Sequence, residues 1–146
     1  MQNSSLPYSV LVIDDSPHMR ILMSKLLLRN GFAIVDVAVN GAEGLAHFAS
    51  SNPHIVFLDV VMPEIDGLNV LREIKSLKPD TIVVMMTSMS EKQKVLKFKE
   101  AGADYYLLKP FEEGKFMEML QEIIAILGQR SKRESGNGMP KLQIGQ

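Results

Sequence analysis

Three carboxylates, a hydroxyl and an ammonium each stand at the end of a short apolar run. Asp14 and Asp15 follow SVLVI, Asp59 follows IVFL, Thr87 follows IVVMM and Lys109 follows YYLL. Carboxylates brought together repel one another and take up protons unless a cation joins them. A donor set of oxygens suits a hard ion, and Mg²⁺ with retained waters fits one or two carboxylates plus a phosphate. Lys109 can reach a carboxylate or phosphoryl oxygen, and Thr87 can donate one hydrogen bond. Such a set suits phosphoryl transfer, in which positioning and charge neutralisation do most of the catalysis. Taken singly, each residue has a plainer use. The aspartate pair can cap a helix, Thr87 can be a β-branched strand residue, and Lys109-Pro110 can make a turn.

The elements that position these residues decide between the two uses. Five apolar runs, Ser9–Ile13, Ala33–Ala38, Ile55–Leu58, Ile82–Met86 and Tyr105–Leu108, alternate with five helix-like stretches. The runs are rich in Val and Ile, as expected of strands covered on both faces; Asp36 interrupts the second and marks a peripheral strand. Asp15 or Ser16 caps the first helix with Pro17 in its first turn, and Asn30-Gly31 ends it. Met19, Leu22, Met23, Leu26 and Leu27 form its apolar face. Asn40 caps a second helix that runs to about Ser51. A third follows Asp66-Gly67 and buries Val70, Leu71, Ile74 and Leu77, and a fourth is expected over Glu91 to Ala101. The last carries Phe116, Met119, Leu120, Ile123, Ile124 and Leu127. Strict alternation with short connections implies right-handed crossovers and a parallel α/β sheet with helices on both faces. Five units allow the flavodoxin-like strand order 2-1-3-4-5, whose ligand site lies beyond the carboxyl ends of strands 1 and 3. All four polar positions fall on that edge, where chance would scatter them over both.

Composition narrows the class. The chain has 146 residues, 46% of them hydrophobic, and a net charge of -1. No run approaches the length of a membrane helix, and MQNSSLP lacks the basic start and apolar stretch of a secretory signal. Without cysteine there is no disulfide, thiolate metal site or thiol catalysis. His18, His47 and His54 lack ligand spacing, and a cytoplasmic location is expected. From Gly128 the chain holds Arg130, Lys132, Arg133 and Lys141 against Glu134, leaving a mildly acidic body unlike a nucleic-acid binder. The reading is an arm over 1–8, a domain over 9–127 and a flexible tail over 128–146, too polar and glycine-rich to order itself.

VLVIDDS, FLDVVMPEIDG, VVMMTSMS and AGADYYLLKPF, in that order and at these separations, resemble the receiver domains of bacterial two-component response regulators, most of all the CheY type. The resemblance spans about residues 9 to 127. It implies that Asp59 accepts a phosphoryl group from a histidine kinase. Asp15, Asp59 and the Val61 backbone carbonyl would hold Mg²⁺, with Asp14 supporting the ion directly or through water. Lys109 would bind the carboxylate and then a phosphoryl oxygen. Thr87 would move toward that group, and Tyr106 would swing into the vacated space. A cis peptide is expected at Lys109–Pro110. The added charge would change the surface of helix 4, strand 5 and helix 5, where Lys92, Lys94, Lys97 and Lys99 could meet an acidic effector.

Val61 and Met89, two residues beyond Asp59 and Thr87, depart from the polar residues common in fast-cycling relatives. Neither side chain can orient a hydrolytic water, so slow self-dephosphorylation is expected. Asp-Asp-Ser-Pro after the first strand and the lack of tryptophan argue against a flavodoxin-like electron carrier. A phosphohydrolase of the aspartyl-phosphate type lacks its paired carboxylates here, and a pseudo-receiver would have lost Asp59 or Lys109. The expectation is a monomeric, stand-alone, non-enzymatic chemotaxis-type switch. A phosphorelay intermediate and the receiver fragment of a transcriptional regulator are the alternatives.

Overall fold

A computed structural model describes residues 6–62, 66–88 and 94–138, the last five by backbone alone. The chain divides into two compact units, Met1–Pro110 and Phe111–Gln146. In the first, five strands alternate with four helices: β1 (Leu6–Ile13), α1 (Pro17–Arg29), β2 (Phe32–Ala38), α2 (Gly41–Ser51), β3 (Ile55–Asp59), α3 (Gly67–Leu77), β4 (Ile82–Ser88), α4 (Val95–Glu100) and β5 (Tyr105–Lys109). The strands form one sheet in the order β2-β1-β3-β4-β5, and every pairing is parallel. Asp36 lies on the edge strand β2, where its carboxylate pairs with His47 Nδ1 at 2.9 Å.

Alternation along the strands sorts the core. Leu11, Ile13, Val56, Leu58, Val83 and Met85 face Phe48 of α2, Val70, Leu71 and Ile74 of α3, and Phe98 of α4 in one buried cluster. The buried Met23, Leu26 and Leu27 of α1 lie outside that cluster and belong to the other face, beside β1 and β2. Helix starts follow the sequence signals. The Ser16 hydroxyl, rather than Asp15, caps α1 by accepting the Met19 N–H at 3.2 Å, with Pro17 at the first position. Asn40 and Asp66 accept the Glu43 and Asn69 N–H groups and cap α2 and α3.

Three boundaries differ from the sequence reading. β1 begins at Leu6, so residues 6–8 are strand rather than arm, with a register irregularity between Leu6 and Ser9. The helix expected from Glu91 begins at Val95, after a 3₁₀ residue at Lys94; residues 89–93 lie outside the described residues. The third concerns the tail. In the second unit, α5 spans Glu113–Gly138 and does not stop at Leu127. It carries the buried Phe116, Met119, Leu120, Ile123 and Leu127, and Phe111 stacks on Phe116 at 5.4 Å. Beyond Leu127 no apolar periodicity remains, but Gln129, Arg130, Lys132, Arg133 and Glu134 are good helix formers that extend the helix by propensity. Among the described residues no helix is long and apolar enough to cross a membrane.

Candidate functional site

The parallel sheet sends the polar run-ends to one edge, beside the point where the strand order reverses. Asp14 follows β1 directly, Asp59 and Lys109 are the last residues of β3 and β5, and Thr87 is the next to last of β4. Asp14, Asp15 and Asp59 each offer a carboxylate oxygen within 4.8 Å of the others. Lys109 Nζ lies 3.0 Å from Asp14 Oδ2 and 3.3 Å from Asp59 Oδ1. The peptide Lys109–Pro110 is cis, as expected from the sequence.

Each acidic group has a distinct environment. Asp14 is fully buried; its Oδ1 accepts the Ser16 N–H at 2.9 Å and its backbone carbonyl accepts Arg20 Nη1 at 2.8 Å. Asp15 is exposed. Asp59 is 7% exposed. Burial and then the Asp14 charge push its carboxyl up to about 6, against the opposing pull of Lys109 and of the Val61 N–H. Burial alone would lower the Lys109 ammonium, but its bond to Asp14 and the charges of both aspartates outweigh that and raise it. A carboxylate cluster in which burial and a like charge make Asp59 harder to ionise, with oxygen donors only, fits a hard divalent cation.

Close packing at Gly67 fixes the backbone of Asp59. A Cβ there would stand 2.7 Å from the Asp59 carbonyl oxygen and 3.0 Å from both Val60 Cα and the Val60 carbonyl oxygen. These are backbone atoms and cannot turn aside. Gly67→Ala is expected to lower stability by about 1–3 kcal/mol in a urea titration. A loss below about 0.5 kcal/mol, the usual effect of a surface change, would contradict this packing.

The other predicted residues occupy less direct positions. Thr87 is buried at the site edge, but its hydroxyl donates to the Ser88 carbonyl at 3.3 Å rather than to a carboxylate. Tyr106 is partly buried and its hydroxyl donates to the Val95 carbonyl of α4 at 3.3 Å. Burial and then Asp104 raise its phenol. Val61 is 56% exposed beside Asp59. Lys94, just before α4, and Lys97 and Lys99 on it are exposed. The first two line a cavity of about 150 Å³ with Val60, Asp66, Leu68 and Phe98. Lys92 and Met89 lie outside the described residues. The sequence reading missed Arg20, whose reach back to Asp14 depends on a helix entry angle that residue spacing does not show.

Strand order 2-1-3-4-5 with an acidic triplet and a lysine at the switch point defines a CheY-like α/β domain. The response regulator receiver domain family matches residues 10–121, and the chain belongs to it. It is 30% identical to the chemotaxis protein CheY of Bacillus subtilis over 119 residues, covering 82% of this chain and 99% of that one. The response regulator MprA of a Mycobacterium species is 34% identical over 137 residues, 94% of this chain and 57% of its own length. Crystallised NtrX of Brucella abortus superposes with a TM-score of 0.81 at 25% identity, covering 97% of this chain and 32% of NtrX. The chain is thus similar both to a CheY matched almost end to end and to parts of larger regulators.

Proposed function

We propose that this chain is a stand-alone receiver switch of the chemotaxis type, phosphorylated on Asp59 by a histidine kinase in the cytoplasm. The observation that carries the reading is the meeting of Asp14, Asp15 and Asp59 with Lys109 Nζ 3.3 Å from the Asp59 carboxylate. In the transfer, an Asp59 oxygen attacks phosphorus, the P–O bond forms as the P–N bond to the kinase histidine breaks, and the imidazole takes up a proton. Asp14, Asp15, Asp59 and the Val61 carbonyl would hold Mg²⁺, which supplies positive charge against the phosphoryl oxygens. Lys109 is already placed between two carboxylates and would keep its Asp14 bond while turning to a phosphoryl oxygen. The Thr87 hydroxyl would leave Ser88 for the same group. Tyr106 would give up Val95 and move inward, altering the α4–β5 surface offered to an effector. The chain assists its own phosphorylation and dephosphorylation and is not an enzyme acting on a separate substrate.

A second reading, the receiver portion of a larger regulator, draws on the 94% of this chain that aligns with MprA and on the continuation of α5 to Gly138. Both readings share the phosphoacceptor. Incubation with a phosphate-labelled histidine kinase is expected to move the label to wild type and not to Asp59→Asn. Val61 is apolar and exposed and cannot orient water, so the label should persist for minutes. A polar acceptor in Val61→Glu should hasten its loss by about tenfold or more. Decay of the wild type within seconds would contradict the role given to Val61.

A further inference from the structure

Every polar group of Asp14 is engaged. Its N–H donates to the Ala38 carbonyl at 3.1 Å, Oδ1 accepts from Ser16 N at 2.9 Å, and Oδ2 accepts from Lys109 at 3.0 Å. Its carbonyl oxygen takes the shortest of these bonds, 2.8 Å from Arg20 Nη1, and that bond is charge-assisted. Asp15 differs: it is exposed and, among the described residues, has no hydrogen bond or ion pair. Its carboxylate is therefore placed by the two peptide units that flank it. One is the Asp15–Ser16 unit, whose N–H rests on Asp14 Oδ1. The other is the Asp14–Asp15 unit, whose oxygen is held by Arg20. Arg20 stands in the first turn of α1, where the helix places its backbone. Its own N–H bonds the Ser16 carbonyl at 3.0 Å, and the residue lines an apolar groove with Pro17, Ile21 and Val37.

We propose that Arg20 is a positioning residue for the cation: by fixing the Asp14–Asp15 peptide it holds the Asp15 carboxylate where it can join Asp14 and Asp59. The inference rests on the Mg²⁺ reading of the site given above. It predicts a sign opposite to that of charge alone. A guanidinium beside a cation site repels the ion, so if charge were its whole effect its removal would tighten binding. If Arg20 holds a ligand in place, removal weakens binding, as loss of a supporting partner does at other metal sites.

The test is a calorimetric Mg²⁺ titration of the full chain as wild type, Arg20→Met, Asp15→Asn and the double variant, with metal-free denaturation midpoints measured alongside. Arg20→Met is expected to bind Mg²⁺ about tenfold more weakly than wild type, yet to cost less than about twofold in the Asp15→Asn background, because Arg20 acts through Asp15. Arg20→Lys, which keeps the stem and a donor, should recover most of the affinity and serves in its place if methionine lowers the native fraction. Unchanged or tighter binding by Arg20→Met, or an equal loss in both backgrounds, would overturn the inference while leaving the metal site intact. Failure of the wild type to bind Mg²⁺ at all would instead remove the metal reading, and this inference with it.

Discussion

Lys109→Met is expected to destabilise the metal-free protein by about 3 kcal/mol at pH 7.5, measured by urea denaturation in the presence of a chelator. The ammonium is the positive charge that bonds the fully buried Asp14 and stands against Asp59. Removing one member of a buried pair leaves an uncompensated charge, which costs more than the pair itself contributes. The ammonium lies above its ordinary range, so its contribution is fully present below about pH 10.4 and is lost only as pH rises through the raised value. On the acid side the deficit narrows as pH falls through about 6, where Asp59 takes up a proton and no longer needs a cation. Lys109→Arg keeps the charge and should lose much less. A Lys109→Met protein as stable as wild type at pH 7.5 would show that the carboxylates are solvated rather than held by the lysine.

Asp59→Asn is expected to change stability in the opposite direction. The folded protein raises the Asp59 carboxyl from 3.8 to about 6, so the native state binds this proton more tightly than the unfolded chain does. Stability associated with the group is fully present below about pH 4 and is lost as pH rises through about 6. At pH 8 the ionised side chain therefore costs the metal-free protein about 3 kcal/mol, which an uncharged amide of the same shape regains. The variant should exceed wild type by that amount at pH 8 and match it near pH 4, and saturating Mg²⁺ should reduce the difference by stabilising the wild type. An Asp59→Asn protein less stable than wild type at pH 8 would contradict the electrostatic account of the site. The two substitutions touch one charge cluster, so their effects will not add.

The raised Asp59 carboxyl and the acidic cluster meet in one closely packed corner. Gly67 lets α3 approach the Asp59 and Val60 backbone closely, and β3 ends there in a nearly buried carboxylate with Asp14 beside it and one lysine against both. A site that is unfavourable when empty gains most from the cation or transferred group that completes it.

Much of this arrangement was legible in the residues. Alternating apolar runs and capped helices suffice to require a parallel sheet, and a parallel sheet sends every strand's carboxyl end to one edge. Asp14, Asp15, Asp59, Thr87 and Lys109 could therefore be grouped before any distance was known. Their partners could not. Lys109 reaches Asp14 more closely than Asp59, Thr87 turns to Ser88, Tyr106 binds Val95 and Arg20 holds the Asp14 carbonyl. These choices depend on rotamers and helix entry angles, which residue spacing does not encode. The continuation of α5 past Leu127 was hidden for a different reason. Hydrophobic periodicity reveals a helix only where a face is buried, and Gly128–Gly138 holds no large apolar residue. Leu6–Tyr8 was hidden by Pro7, which the register irregularity between Leu6 and Ser9 accommodates.

On the proposed reading, the acidic cluster and Lys109 make Asp59 a phosphoacceptor that depends on Mg²⁺. Intact mass after incubation with acetyl phosphate, with and without Mg²⁺, tests it most directly when Asp59→Asn is run beside the wild type. A single added phosphoryl group that appears only with Mg²⁺ and is absent from the variant is the predicted result. An adduct that forms equally without Mg²⁺, or persists in Asp59→Asn, would contradict the claim.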